Sequence, residues 1–207
     1  MFVELLEKLR CPNEHEPSAL IAAASRTVDR HIIEGTLGCP VCHAEFAIRK
    51  GALELGGSSI TPVLAYGALS DERMVRTGAL LGLDERGGIY VLDFISAHFT
   101  AGLCDISPHS RFVALSGDAQ IDGASGVITG HGDAIPLADE CARGVVLDGA
   151  TPELLRSAVR VLAPGGRLVA PADAPVPNGV TELARDERQW VAERDAVPAL
   201  AELRRAR

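Results

Sequence analysis

The amino-acid sequence predicts an α/β chain, a small ribbon built on cysteines followed by a shortened parallel sheet with flanking helices. Two Cys-Pro turns, Cys11-Pro12 and Cys39-Pro40-Val41-Cys42, lie near the start with 27 residues between Cys11 and Cys39. From Ile89 onward short apolar runs alternate with helical stretches, the pattern of parallel strands covered on both faces. Between the two regions lies Gly56-Gly57-Ser58-Ser59, small flexible residues that mark a linker. The expected division is therefore residues 1–57 and residues 58–207.

Each element can be argued in turn. Residues 3–9 carry apolar positions at helical spacing, and Cys11-Pro12 stops that turn. Leu20–Ser25 is apolar and Ala-rich, and Thr27–Gly38 suggests a short strand or hairpin arm. Cys39 to Cys42 forms a tight turn, and Glu45–Arg49 alternates with the period of a strand. Ser70-Asp71-Glu72 predicts a helix start, with Arg73–Leu83 as its body, Met74, Ala79, Leu80 and Leu83 inward, and Gly87-Gly88 ending the segment.

Strands follow at Ile89–Ile95, Phe112–Leu115, Val127–Thr129, Gly144–Leu147 and Arg167–Ala170, with a short helix at Ala97–Cys104. Thr151 caps a further helix, Pro152 and Glu153 fill its first turn, and Leu154–Leu162 is amphipathic until Ala163-Pro164-Gly165-Gly166 breaks it. Residues 180–194 predict a terminal pair of strands.

Composition limits the function classes. With 47% apolar residues but only 4% aromatics, the core must be built from Ala, Val, Leu and Ile. The formal net charge of −8, shared by both halves, argues against nucleic acid as a partner, and the basic tail at 204–207 reads as a frayed end. No apolar run reaches the roughly 18–20 residues that cross a bilayer, and Met1–Lys8 lacks the pattern of a secretion signal. Five cysteines, an odd number with one Cys-x-x-Cys pair, fit a metal site in a reducing cytoplasm better than a disulfide framework.

Cys11, Cys39 and Cys42 are the candidate metal ligands, because paired Cys-Pro turns point sulfurs and backbone amides at one centre. His15, at Cys-x-x-x-His spacing, is the first choice for the fourth, ahead of Glu14, His43 and His31. Structural Zn2+ would supply folding free energy that so small a segment lacks. Cys104 and Cys141, isolated among small and apolar residues, read as ordinary reduced thiols.

Two resemblances follow from these residues. Leu5–Pro12, Glu34–Cys42 and Phe46–Gly51 together resemble the small zinc-ribbon protein that activates tRNA and release-factor methyltransferases. That likeness implies a structural metal and a protein partner. Gly132–Asp139, Gly144–Asp148 and Arg160–Val169 resemble class I S-adenosylmethionine-dependent methyltransferases, which implies a Rossmann-like sheet.

Position by position, the cofactor residues of that family are replaced. The three glycines that let backbone approach the cofactor fall on Ile95, Ala97 and Phe99, and the acidic residue after the second strand becomes Ser116, with Asp118 two residues late. Ala142-Arg143 stands where the family has Phe-Asp. The expectation is a non-catalytic, methyltransferase-like scaffold or regulatory subunit that does not bind S-adenosylmethionine in the standard way and has a protein partner or forms a homo-oligomer. The alternative is a methyltransferase with an atypical pocket using Asp93, Asp118 and Asp133.

No other catalytic set stands out. His98, His109 and His131 are scattered, and Gly-x-Ser-x-Gly, a Walker loop and His-Glu-x-x-His are absent. Gly130-His131-Gly132-Asp133 reads as a tight strand exit more than an active-site loop, and Trp190 as a packing residue at an edge strand or against the ribbon.

Overall fold

The computed structural model describes residues 1–57, 69–117 and 119–196. Asp118, Ser58, Ser59 and the basic tail lie outside them. A 3-10 segment, Val3–Lys8, leads into β1 (Ile21–Val28), β2 (His31–Gly38), β3 (Glu45–Arg49) and β4 (Ala52–Glu54). After it come α1 (Asp71–Leu81), β5 (Gly88–Asp93), α2 (Phe94–Ala97), α3 (Thr100–Ile106), β6 (Ser110–Leu115), β7 (Gly126–Thr129) and β8 (Ala142–Val146). α4 (Pro152–Val161), β9 (Leu162–Pro171), β10 (Val180–Arg185) and β11 (Gln189–Arg194) follow among the described residues. Among the described residues no helix is long and apolar enough to cross a membrane.

The eleven strands of the described residues join one sheet in the order β1-β2-β3-β4-β7-β6-β5-β8-β9-β11-β10. Its centre, β7-β6-β5-β8-β9, is parallel. Numbered from β5, that order is 3-2-1-4-5, the doubly wound arrangement in which the crevice lies beyond the strand ends where the order reverses. β11 then runs antiparallel to β9, and β10 antiparallel to β11. This is a methyltransferase-like α/β fold with a cysteine ribbon at its start.

The ribbon joins this sheet through β4, whose three residues pair in parallel with β7 (Ala52 with Val127, Leu53 with Ile128, Glu54 with Thr129). The connection continues past the strand ends, where Leu55 N–H donates to Thr129 O at 2.9 Å and Gly57 N–H to Gly130 O at 3.0 Å. Burial follows the same line. Leu9, Leu37, Ile48 and Leu53 are at most 1% exposed and share one apolar cluster with Ile128, Ile135, Leu137 and the inner face of α4. Each such side chain contributes about 1.5–3 kcal/mol on burial.

The β6–β7 and β7–β8 connections carry no helix among the described residues, and the ribbon's first turn lies on them instead. Phe2 N–H donates to Ser125 O, Arg10 N–H to Pro136 O, and Ala138 N–H to Lys8 O. The ribbon thus covers a sheet face that a crossover helix would otherwise cover. The opposite face is covered by α1, α2 and α3 through Leu81, Ala97, Phe99 and Leu103 over Tyr90, Leu92 and Phe112.

Both predicted helix caps form. Ser70 accepts from Arg73 N–H at 3.2 Å, and Thr151 from Leu154 N–H at 3.1 Å with Pro152 in the first turn. Three expectations are corrected. The strand at Ile89–Ile95 ends at Asp93, because Phe94 turns to φ +37° and begins α2. The helix at Ala97–Cys104 is two pieces, because His98 and Phe99 N–H groups donate three residues back, to Ile95 O and Ser96 O. α1 ends at Gly82, in the left-handed region at φ 63°, before Gly87-Gly88, and it buries Thr77, Gly78 and Leu81 while Ala79 faces out. Trp190 is fully buried in β11 and donates from Nε1 to Ala174 O at 2.9 Å.

Candidate metal centre and crevice

The two Cys-Pro turns meet as the sequence spacing predicts. Cys11 N–H donates to Ser18 O at 3.0 Å, closing the first loop. At the end of β2, Cys39 N–H donates to Ala44 O at 2.9 Å and His43 N–H to Cys39 O at 3.0 Å, with His43 at φ +59°. One donor atom each from Cys11, His15, Cys39 and Cys42 lies within 4.8 Å of all the others. Glu14, His43 and His31 are not part of that converging set.

The edges of this cluster can be compared with a metal's geometry. Zn–S near 2.3 Å and Zn–N near 2.0–2.1 Å in a tetrahedron give S···S edges of about 3.8 Å and S···N edges of about 3.5 Å. Here Cys11 Sγ and Cys42 Sγ are 3.7 Å apart, and Cys39 Sγ and His15 Nε2 are 3.4 Å apart. His15 Nδ1 lies 2.6 Å from Glu16 O, so it carries the proton and leaves the Nε2 lone pair facing the sulfurs.

Electrostatics favour thiolates on one side of the cluster. The Ala44 N–H and then the Asn13 amide, 3.3 Å from Cys42 Sγ, hold the Cys42 thiol down to about 7. Burial works against the Cys39 thiolate, but the N–H groups of Cys42 and Val41 outweigh it and keep its thiol below the ordinary value. Burial pushes Cys11 up to about 12. A divalent metal at this centre would favour the thiolate form of all three sulfurs. The donor set fits zinc, which Cys11, His15, Cys39 and Cys42 would hold in a closed structural site.

Beyond the ends of β5 and β8, the last residue of the Gly144–Asp148 segment is the centre of a buried polar cluster. Asp148, two residues past β8, has a side chain only 6% exposed. Its Oδ2 accepts from Ser96 N–H at 2.7 Å and its Oδ1 from Ser96 Oγ at 3.0 Å. Arg73, reaching over from α1, donates to Oδ1 at 2.7 Å and lies 5.6 Å from the centre of the Phe99 ring. Phe99 and Ala97, two of the three residues expected in place of glycines, are buried, and Ile95 is half-buried.

Of the three expected aspartates, Asp118 lies outside the described residues. Asp93 is 1% exposed, accepts from Asp148 N–H at 3.3 Å through Oδ2, and has no partner for Oδ1. Burial first, then the Asp148 charge, pushes its carboxyl up to about 8. Asp133 is exposed and accepts from Thr151 Oγ1 at 2.6 Å. Asp93 and Asp133 share no hydrogen bond.

The substitutions beside the crevice have structural roles. Ser116 is buried and donates its N–H to Ile128 O. Arg143 makes a two-pronged pair with Asp84 at 2.9 and 3.2 Å, and that guanidinium holds the Asp84 carboxyl down to about 2. His131 is 5% exposed with neither ring nitrogen bonded, and Cys104 Sγ donates to Gly123 O. A signal for Asp148 is nonetheless present in the sequence. Two strands that pair Leu92 with Val146 each run on to an aspartate, and adjacent buried acids call for a cation such as Arg73.

Strand order and donor set define a methyltransferase-like chain with an appended Cys/His centre. No protein-family model matches the chain, and no curated protein does. Among solved structures it is similar to the antibiotic-resistance methyltransferase Kmr, at 12% identity over 64% of this chain and 97% of that one, with a TM-score of 0.40. It is also similar to an RNA methyltransferase from Salinibacter ruber in complex with S-adenosyl-L-homocysteine, at 17% identity over 66% and 97%, TM-score 0.40. A third is a chain in the complex of the Haloferax volcanii Trm112 methyltransferase activator with a protein assigned as a methyltransferase, at 22% identity and TM-score 0.38. There the match covers 48% of this chain and 53% of that one.

Proposed function

We propose that this chain is a non-catalytic, methyltransferase-like scaffold with a structural zinc ribbon, acting through a protein partner or a second copy. The observation that carries the reading is the seat of Asp148. Backbone and hydroxyl donors of Ser96, in the turn after β5 where the fold places a cofactor's anionic end, are taken by a side chain of the protein itself. Phe99 and Arg73 close over the same turn.

Residues 1–57 and 58–207 are, in this reading, two units completed by each other. The ribbon resembles an activator that works by binding a methyltransferase, and its β4 is paired with β7 of its own chain. Zinc held on three thiols and His15 suits a reducing, cytoplasmic compartment.

Calorimetric titration of S-adenosylmethionine and S-adenosylhomocysteine into metal-loaded protein tests the proposal, with zinc measured on the same sample. One zinc per chain and no heat of cofactor binding is the expected result. One-to-one binding at micromolar affinity would overturn it and return an atypical methyltransferase, with Asp133 the first residue to replace.

A further inference from the structure

The seam between ribbon and sheet holds an open cavity of about 350 Å³. It lies at the start of β7, the opposite end of the parallel strands from the crevice beyond β5 and β8. Small-molecule sites span roughly 300–1,000 Å³. The apolar lining is Ile33 from β2, Ile121 from the β6–β7 connection and Val127 from β7.

Two side chains of opposite charge line this cavity from the two sides of the seam. Lys50 comes from the β3–β4 turn of the ribbon, and Asp122 from the β6–β7 connection. Their backbones are anchored, Lys50 N–H on Glu34 Oε1 at 3.4 Å and Asp122 O under Thr100 Oγ1 at 2.6 Å. Neither charged group has a hydrogen bond or ion pair among the described residues. The other polar groups at the ribbon wall are engaged. His31 Nδ1 donates to Asp29 O at 2.9 Å, and the Met1 nitrogen donates to Ile32 O and Gly51 O at 3.0 and 2.8 Å. Lys50 and Gly51, at φ +50° and +82°, form a two-residue hairpin turn whose first position favours Asn or Gly. A lysine there carries backbone strain that asparagine would avoid, and it supplies the cation of the cavity.

We infer that this cavity binds a small zwitterion with an apolar body, the chemistry of an apolar α-amino acid. Lys50 meets the carboxylate, Asp122 the ammonium, and Ile33, Ile121 and Val127 the side chain. Unpaired opposite charges beside an apolar surface are complementary to a ligand that carries both charges and an apolar group. Such a ligand bridges ribbon and sheet, and the site does not depend on whether the chain binds S-adenosylmethionine.

Thermal melts of the zinc-loaded full chain test the site, with L-leucine, L-valine and L-phenylalanine as probes. Glycine at equal concentration is the control, since it has both charges without the apolar body. A ligand that binds only the folded state raises the melting temperature. At least one probe is expected to raise it by a few degrees over glycine, while the amide and the deaminated acid of the same compound raise it far less. Lys50→Asn and Asp122→Asn should keep the wild-type melting temperature in buffer and each weaken binding by about tenfold, the loss of one charge-assisted contact. Asparagine suits the turn, so Lys50→Asn decides alone if Asp122→Asn does not fold. No excess over glycine for any of the three probes would overturn the inference. Equal response to the amide, or undiminished binding in Lys50→Asn, would overturn it as well.

Discussion

Asp93 and Asp148 stand at the ends of adjacent parallel strands, and the backbone N–H of Asp148 donates to Asp93 Oδ2 at 3.3 Å. Only Asp148 is given a cation, Arg73 at 2.7 Å. Burial raises both carboxyls, but Asp148 has Ser96 and Arg73 bonded to its oxygens while Asp93 has only the Asp148 N–H, so Asp93 is the acid held furthest toward its protonated form.

That difference predicts a pH dependence. With the folded carboxyl of Asp93 near 8 and its ordinary value at 3.8, the native state keeps a proton that the unfolded chain has already lost. Stability then falls as pH rises across this window and levels off above it. Asp93→Asn removes the proton uptake. Between about pH 5 and about pH 8 the variant is expected to gain on wild type by at least ~1 kcal/mol. Urea melts of both proteins at the two pH values check this; parallel curves would reject it.

The metal centre predicts an ordering among cysteines. Cys39→Ser and His15→Ala should each lose zinc and lower the melting temperature, whereas Cys104→Ser and Glu14→Ala should leave zinc content unchanged. Elemental analysis together with thermal melts reads both. Zinc retained in His15→Ala would exclude His15 as the fourth ligand.

Because the ribbon and the parallel sheet share one core, chelation should destabilise both. Leu53, fully buried in β4, probes the same coupling, and Leu53→Ala is expected to cost about 2–5 kcal/mol. Calorimetry should show a single transition shifted down, with amide exchange rising in β7 as well as in β3. Two separate transitions would contradict the shared sheet.

The crossing of Gly57 and Gly130 is closely fitted. A Cβ at Gly57 would lie 2.5 Å from Gly130 O, and Gly130 itself sits at φ +66°. Gly57→Ala is expected to destabilise by about 1–3 kcal/mol through backbone displacement. Gly38→Ala, whose Cβ would meet nothing within 4 Å, is the matched control. Equal stability of the two variants in urea would refute the tight crossing.

Much of this architecture is legible in the sequence because its signals are local. Ser70 and Thr151 cap helices through bonds to residues three positions on, and the strands of the parallel sheet announce themselves as apolar runs. Cysteine spacing singles out Cys11, Cys39 and Cys42, and His15 follows from its spacing to Cys11; their donor atoms converge in the fold. β4 escapes because three residues are too few to carry a period. β1 is blurred by its alanines, whose strand preference is low, so that only pairing with β2 defines it. The Arg73–Asp148 contact joins residues 75 positions apart, and no periodicity reports such a pair. Phe99 stands out in the sequence by its bulk, but the Arg73 guanidinium over its ring can be found only from the fold.

The pairing of β4 with β7 within one polypeptide has a further consequence. Two separate proteins joined at such an edge exchange partners according to their abundance and affinity. A covalent tether instead holds the strands at an effective concentration on the order of millimolar. The ratio of ribbon to sheet is set at translation, any rival must compete against that local concentration, and dilution does not part them.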